Sequence, residues 1–344
     1  PLAQKDEQLN GWAIESRIYA EDPYRGFLPS TGRLSRYRPP HEGKFGDSTV
    51  RNDTGVYEGG EISMFYDPMI AKLCTHASTR TAAIDAMASA LDEFRIEGIN
   101  HNIDFLTAIM HNKRFRAGTL TTGFIAEEFP DGFHGAPLDN AAKRRLAAAV
   151  VAAELSREAR ASRISGTLPG AHPIVGGEFI VGLNGETLIE GAQIEGHRLH
   201  TRIEGETYEV EFQWKLGAAV MHLSDANGKF AVQIARQQGS YRLNHGGAMV
   251  KATVRRPRMA ALAALMPVKK PPDTSKMLIC PMPGLVVSIN VTEGQHVQAG
   301  ETLAVVEAMK MENVLKAERE GTVKKINAAK GDSLALDDVI LEFA

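Results

Sequence analysis

A chain of 344 residues exceeds what one hydrophobic core commonly fills, so two or three domains are expected. Its 43% hydrophobic and 24% charged residues are ordinary for a globular protein, and no apolar run is long enough to cross a bilayer. A net charge of −3 argues against nucleic acid or an anionic membrane as main partner. The densest basic stretch, Arg255-Arg256-Pro257-Arg258, is short and lacks interleaved aromatics. Two cysteines, Cys74 and Cys280, exclude a disulfide framework and fit a reducing compartment. The 11 histidines form no metal-binding spacing; His197 and His200, the nearest pair, would point to opposite faces of a strand.

The amino terminus, PLAQKDEQLNGW, has no signal- or transit-peptide character and no initiating methionine, and it runs straight into mid-domain sequence; a fragment is expected. From Gly11 to about Phe129 the pattern is mixed α and β. WAIESRIYA and GEISMFYD are strand-like, separated by Pro, Gly and Asp turns. STRTAAIDAMASALDEF predicts an amphipathic helix, with Ile84, Met87, Leu91 and Phe94 on one face and Ser78 or Thr79 as N-cap. A second helix carries Ile103, Leu106 and Met110 on one face.

Leu138 to Arg160 reads as an alanine-rich helix whose small apolar face lets neighbouring backbone come close. SGTLPGAHPIVGGE then breaks all regularity. Strands follow to about Val254: Leu199, Thr201 and Ile203 alternate, as do Tyr208, Val210, Phe212 and Trp214, then Phe230, Val232 and Ile234. Asn184-Gly185 and Asn227-Gly228 are hairpin signals between such runs. One helix followed by many short antiparallel strands predicts an α+β unit built on a barrel or sandwich. Residues 266–276, MPVKKPPDTSK, predict an extended linker. The expected segments are therefore 1–129, 130–265, the linker, and a strand module over 277–344.

That last module contains a repeat. Gly284 aligns without a gap on Gly321, Val286 on Val323, Ile289-Asn290 on Ile326-Asn327, Gly294 on Gly331 and Leu303 on Ile340. Neither half can bury its own apolar face, which predicts a sandwich with a pseudo-two-fold axis. Lys310, in VVEAMKMEN, falls on the segment joining the halves. Two readings stand at the level of the residues. Lys310 is a solvated charge beside core methionines, or it is a reachable amine on a shaped turn, suited to amide formation, with Met309 and Met311 offering a soft recognition surface.

EAMKMEN, with PMPG at Pro281 to Gly284 and the flanking repeat, resembles the biotinylation motif of biotin carboxyl carrier domains. Lipoyl domains share the fold, but their lysine usually follows an acidic residue, whereas Lys310 follows Met309. GWAIESRIYAEDPYRGFLPSTGRL and FYDPMIAKL resemble the C-terminal subdomain of biotin carboxylase. FPDGFHGAPL, the helix-plus-strands middle and LAALMP are similar to the α subunits of propionyl-CoA carboxylases, more than to those of 3-methylcrotonyl-CoA carboxylases. The resemblance implies a multidomain α+β protein. Its parts would be the end of a biotin carboxylase domain (1–129), a BT domain of one helix in an antiparallel β-barrel (130–265), and a flattened β-sandwich biotinyl domain (277–344).

In this family ATP and bicarbonate serve to carboxylate biotin, and the carboxyl group then passes to propionyl-CoA on a carboxyltransferase β subunit. The resemblance implies covalent biotin on Lys310, with Glu307, Ala308, Met309 and Met311 read by a biotin protein ligase. It implies docking of the β subunit on the BT domain through a hook at about Gly166 to Gly177. It also implies a role for Arg17 against a bicarbonate-derived anion and the biotin enolate, for which a permanently charged fork of donors is suited. The plainer reading of Arg17 is a salt bridge to Glu15 or Glu21; Asp67 in FYDPM is equally a turn cap. No Gly-rich phosphate loop occurs in the sequence, so ATP, Mg²⁺ and bicarbonate are expected to be handled by a preceding part, and the chain alone is not expected to hydrolyse ATP. The implied location is bacterial cytoplasm, or the mitochondrial matrix in a eukaryote.

Overall fold

The computed structural model describes residues 8–166, 175–183, 186–267, 276–308 and 311–344. It is mostly β. In the first unit, β1 (Trp12–Tyr19), β2 (Gly43–Phe45), β3 (Ser48–Thr54) and β4 (Met69–Ala77) form an antiparallel sheet in the order β1-β4-β3-β2. Period-two alternation turns Ser16 and Ile18 inward and Glu15 and Arg17 outward. Helix α1 (Arg80–Glu93) packs Ile84, Met87 and Leu91 into the core beneath this sheet. Thr79 is its N-cap, its hydroxyl accepting from Ala82 N, which stabilises a helix by about 1 kcal/mol; Ser78 instead bonds Asp47. Helix α2 (Ile103–His111) buries Ile103 and Met110 as its spacing predicts. The strand expected in GEISMFYD shrinks to Glu61–Ile62, because Ser63 Oγ accepts from Phe65 N and turns the chain away.

Helix α3 (Asn140–Ala161) departs from its sequence reading. A surface helix buries three or four residues in two turns, yet Leu146 to Ala153 are buried without interruption. The reason is the closed antiparallel barrel of β5 (Gly177–Gly182), β6 (Glu186–Glu195), β7 (Arg198–Ile203), β8 (Glu206–Gln213), β9 (Val220–Asp225), β10 (Gly228–Gln237), β11 (Ser240–His245) and β12 (Ala248–Arg255). Helix and barrel share one core, in which inward residues such as Leu199, Val210 and Val232 face the alanines. Only small side chains leave room for a helix inside so narrow a barrel.

Both helix ends are tied to the wall. Arg145 donates two hydrogen bonds to Asp225 (2.8 and 2.9 Å), which also accepts from Tyr208 (3.0 Å). Near the other end Arg256 donates to both oxygens of Glu158 (2.9 Å each) over the ring of Phe179. The hairpin expected at Asn227-Gly228 is shifted by one residue. Asp225 pairs with Gly228, so Ala226-Asn227 make the turn, held by Asn227 N donating to Asp225. Asn184-Gly185 lies outside the described residues.

The third unit is a sandwich of β13 (Met277–Ile279), β14 (Gly284–Ile289), β15 (His296–Val297), β16 (Thr302–Ala308), β17 (Met311–Lys316), β18 (Gly321–Ile326), β19 (Ser333–Leu334) and β20 (Val339–Phe343). Its sheets run β13-β20-β18-β15 and β17-β16-β14-β19. A shift of 37 positions (321 minus 284) carries β14 onto β18 and β15 onto β19, and starts β20 where β16 starts. The same operation exchanges the two sheets, as the repeat predicts. It also exchanges two small cores: Val286, Ala304 and Ala328 in one correspond to Val323, Leu341 and Val291 in the other. Each core draws on both halves, so neither half closes alone.

The first unit and the barrel are locked by polar groups. The last carbonyls of a helix have no partner within it; here Gln233, on the barrel's outer face, donates to the carbonyls of Asp92 and Phe94 (3.0 Å each) and accepts from Arg95 (3.0 Å). The Asp92 carboxylate receives Gly246 N and meets His245 Nδ1, each at 2.9 Å. Gly247, at φ +79°, lets the β11–β12 turn press on α2: a Cβ there would stand 2.6 Å from Asp104 O.

This junction is sensitive to pH in both directions. Burial opposes the charge on His245, but the Asp92 hydrogen bond and carboxylate outweigh it, with Arg145 opposing, and raise the imidazole above its ordinary value. Burial chiefly pushes His101 and His111 down. The raised histidine contributes stability that is complete below about pH 6.5 and lost as pH climbs through its folded value. The lowered ones contribute above about 6.5 and lose it as pH falls through theirs. The urea midpoint, measured from about pH 5 to about 9, is therefore expected to fall on both sides of a maximum. His245→Gln is expected to reduce the alkaline fall, to which the raised Cys74 and Cys280 thiols also contribute near the top of the range, and to keep the acidic one.

Candidate functional site

Lys310 falls in sequence between β16 and β17, which pair as a hairpin. Across it Val306 pairs with Asn313, Glu307 with Glu312 and Ala308 with Met311, so only Met309 and Lys310 separate the last pair in sequence. Those two residues lie outside the described ones. The frame around them is well defined. Ala308 is 1% exposed, so the hairpin is anchored in the module up to its end, while Met311 is 46% exposed. Glu307 is half-buried and Glu312 exposed.

The register places Glu312 directly opposite Glu307, a relation not drawn from the sequence although the near-palindrome Glu-Ala-Met-Lys-Met-Glu carries it. Once Ala308 faces Met311, the flanking glutamates must face each other. Two carboxylates thus stand one step below the Ala308–Met311 pair and add negative charge to this end of the module.

PMPG has a packing role. Met282 is buried, and the Cys280 thiol donates to its carbonyl (3.0 Å). Gly284 sits so close to β16 that a Cβ would stand 2.6 Å from Val306 Cγ1 and 2.7 Å from Glu307 O. The glycine is required by this approach and not by its φ. Under the pseudo-two-fold operation the β16–β17 hairpin corresponds to the pair β20–β13, where Met277 faces Glu342 near the module's two ends. The operation therefore relates the lysine end of the hairpin to the place where the linker enters.

Arg17 lies on the outward face of β1, its Nε donating to Glu15 at 3.0 Å, which is one of the two salt bridges considered from sequence. The Glu15 hydrogen bond raises its already high pKa. Registers across β1, β4 and β3 align Arg17 with Lys72 and Asp53, and Glu15 with Cys74 and Arg51. The outer face of this sheet is therefore a lattice of opposite charges, of which the sequence singled out only Arg17 and its partner Glu15. The others are scattered over the chain, and only strand pairing reveals them. Asp67 is exposed just ahead of Pro68, whose carbonyl accepts from Ala20 N (2.8 Å).

Arg17 and the lysine hairpin belong to different units. Of the hook at Gly166 to Gly177, residues 167–174 lie outside the described ones. Among the described residues no cluster of three or more metal-ligating side chains occurs, and no helix is long and apolar enough to cross a membrane.

Three families match in succession: "Biotin carboxylase C-terminal domain" over residues 15–127, "Propionyl-coenzyme A carboxylase BT domain" over 146–269 and "Biotin-requiring enzyme" over 276–343. The propionyl-CoA carboxylase α chain of Ruegeria pomeroyi is 50% identical over 99% of this chain and 53% of its own length. The mitochondrial propionyl-CoA carboxylase α chain of Homo sapiens is 36% identical over 98% of this chain and 47% of its own. The biotin carboxylase domain of a 2-oxoglutarate carboxylase from Hydrogenobacter thermophilus is 42% identical over 37% of this chain and 27% of that chain, with a TM-score of 0.35. The chain spans about half the length of the curated relatives it matches. By its three successive domains and a likeness along nearly its whole length, the chain belongs with the α chains of biotin-dependent acyl-CoA carboxylases of the propionyl-CoA carboxylase kind.

Proposed function

We propose that this chain is the biotin-bearing and partner-docking part of a propionyl-CoA carboxylase α subunit, with biotin amide-linked to Lys310. The observation that carries the reading is the β16–β17 hairpin, whose Ala308–Met311 pair brackets Met309 and Lys310 alone. A buried alanine beside an exposed methionine fits a covalent group borne on an anchored end and read from outside by a ligase. When bound, biotin supplies a ureido nitrogen that takes up a carboxyl group and yields it to an acyl-CoA.

The chain's own residues hold, present and dock. Gly284 keeps β14 against β16 and so fixes the hairpin. Residues 266–276 give the module reach and raise its effective concentration at two separate sites. Arg17, on its charged sheet face, binds the bicarbonate-derived anion and the biotin enolate. In this reading residues 1–129 are the end of the biotin carboxylase domain, 130–265 the BT domain and 277–344 the carrier. The steps needing ATP, Mg²⁺ and bicarbonate belong to the longer α chain, and transfer to propionyl-CoA belongs to a carboxyltransferase β subunit. The preference for propionyl over other acyl groups rests on the relatives' identity: 50% for the Ruegeria pomeroyi propionyl-CoA carboxylase α chain against 29% for the rice methylcrotonoyl-CoA carboxylase α subunit.

Co-expression with a biotin protein ligase, followed by intact-mass analysis, is expected to give one biotin per chain and none in Lys310→Ala. Gly284→Ala, which keeps the lysine but pushes β14 off β16, is expected to lower the biotinylated fraction. An unmodified wild-type chain would sink the proposal. Docking is tested separately. Replacing residues 167–174 by a Gly/Ser segment is expected to abolish co-elution with the β subunit while biotinylation persists, and unchanged co-elution would remove the hook from the docking surface.

A further inference from the structure

A cleft of about 790 Å³ opens where the first unit meets one end of the barrel. One wall is the ladder of strands Arg36–Arg38 and Arg95–Glu97; the other combines the β8–β9 and β10–β11 turns with Arg157 of α3. Five guanidiniums line it, those of Arg36, Arg38, Arg95, Arg157 and Arg236, against one carboxylate, Glu97. Their immediate partners do not restore balance. Glu58 is shared by Arg36 and Arg38, Glu154 holds Arg157, and Glu97 is shared by Arg95 and Arg242. Six arginines against these three glutamates leave an excess of three positive charges.

The ladder shows the same imbalance at closer range. Arg38 lies directly across from Arg95, a like-charge pair that costs stability in an antiparallel sheet. The Arg95 side chain is 3% exposed, and its Nε is buried without a hydrogen-bond partner. Burial lowers the pKa of this guanidinium, which registers the same unmet demand for negative charge. A concave site with this excess focuses a positive potential.

The rest of the lining is apolar. Trp214 stands half-buried, its indole N–H donating to Ala218 O (2.9 Å) so that the ring is held in place, with Ala219 and Ile234 beside it. Planar guanidiniums match phosphate oxygens two at a time, an indole offers a stacking face for a base, and the volume is that of a small-molecule site. We propose that this cleft binds a nucleoside polyphosphate, with the phosphates on Arg38, Arg157 and Arg236 and the base on Trp214. An extended acidic peptide would satisfy the charge but leave the fixed indole and its apolar surround unused.

The chain has two tryptophans, Trp12 and Trp214, so Trp12→Phe leaves Trp214 as sole reporter. In that background, titration of the whole chain with ADP is expected to give saturable quenching that weakens with added salt. Calorimetry is expected to show Arg38→Ala and Arg236→Ala each binding ADP about 10-fold more weakly. Arg202→Ala, on the outer barrel surface, is expected to bind as wild type. Pyrophosphate is expected to bind without quenching. Arg236 is exposed and keeps the test valid if Arg38→Ala unfolds; thermal unfolding checks each variant. Absence of saturation at roughly millimolar ADP overturns the proposal. So does unchanged affinity in both folded arginine variants, or preference of the cleft for hexaglutamate over ADP.

Discussion

Enclosure of α3 by the β5–β12 barrel is the constraint on which the middle of the molecule depends. A helix surrounded on all sides has no polar face to spare, so eight successive residues from Leu146 to Ala153 are apolar and mostly alanine or valine. Their small size lets the wall residues reach the helix and fill the interior at crystal-like density. The polar positions are displaced to the ends, where Arg145 and Glu158 find Asp225 and Arg256 and seal both mouths of the core. Partly buried pairs of this kind would be costly if either member were lost, because the other would be left without its partner.

A filled barrel has only its outer face and ends left for further contacts. The outer face holds the first unit through Gln233, which completes the carbonyl end of α1 from a strand 141 residues away. Capping a helix from another unit couples their stabilities, since neither α1 nor the barrel loop at His245 to Gly247 is fully satisfied alone. The barrel end that carries Arg157 and Glu158 of α3 meets the Arg36–Arg38 ladder and forms the basic cleft, and the Glu158–Arg256 pair closes the core on that same side.

The sandwich follows a different logic. Its two cores exchange under the pseudo-two-fold operation, and both draw residues from both halves, so the module forms as a whole or not at all. The β16–β17 hairpin and the paired strands at the module's ends occupy equivalent positions.

Local pattern in the sequence determined much of this. Strand alternation grouped Leu199, Thr201 and Ile203, capping narrowed the start of α1 to Ser78 or Thr79, and the gapless repeat predicted the two-fold sandwich. The family resemblance rests on contiguous motifs, which is why Lys310 with its neighbours could be proposed from the sequence alone. Other features depend on residues distant in sequence. That α3 is encircled rather than laid on a surface follows from barrel closure, since a run of alanines reads alike on one face or inside a wall. The charge lattice around Arg17 and the like-charge pair Arg38–Arg95 exist only through strand registers. The facing of Glu307 and Glu312 needed the turn length to be known. Periodicity says which way a side chain points; what it meets there is decided by segments that fold onto it from elsewhere in the chain.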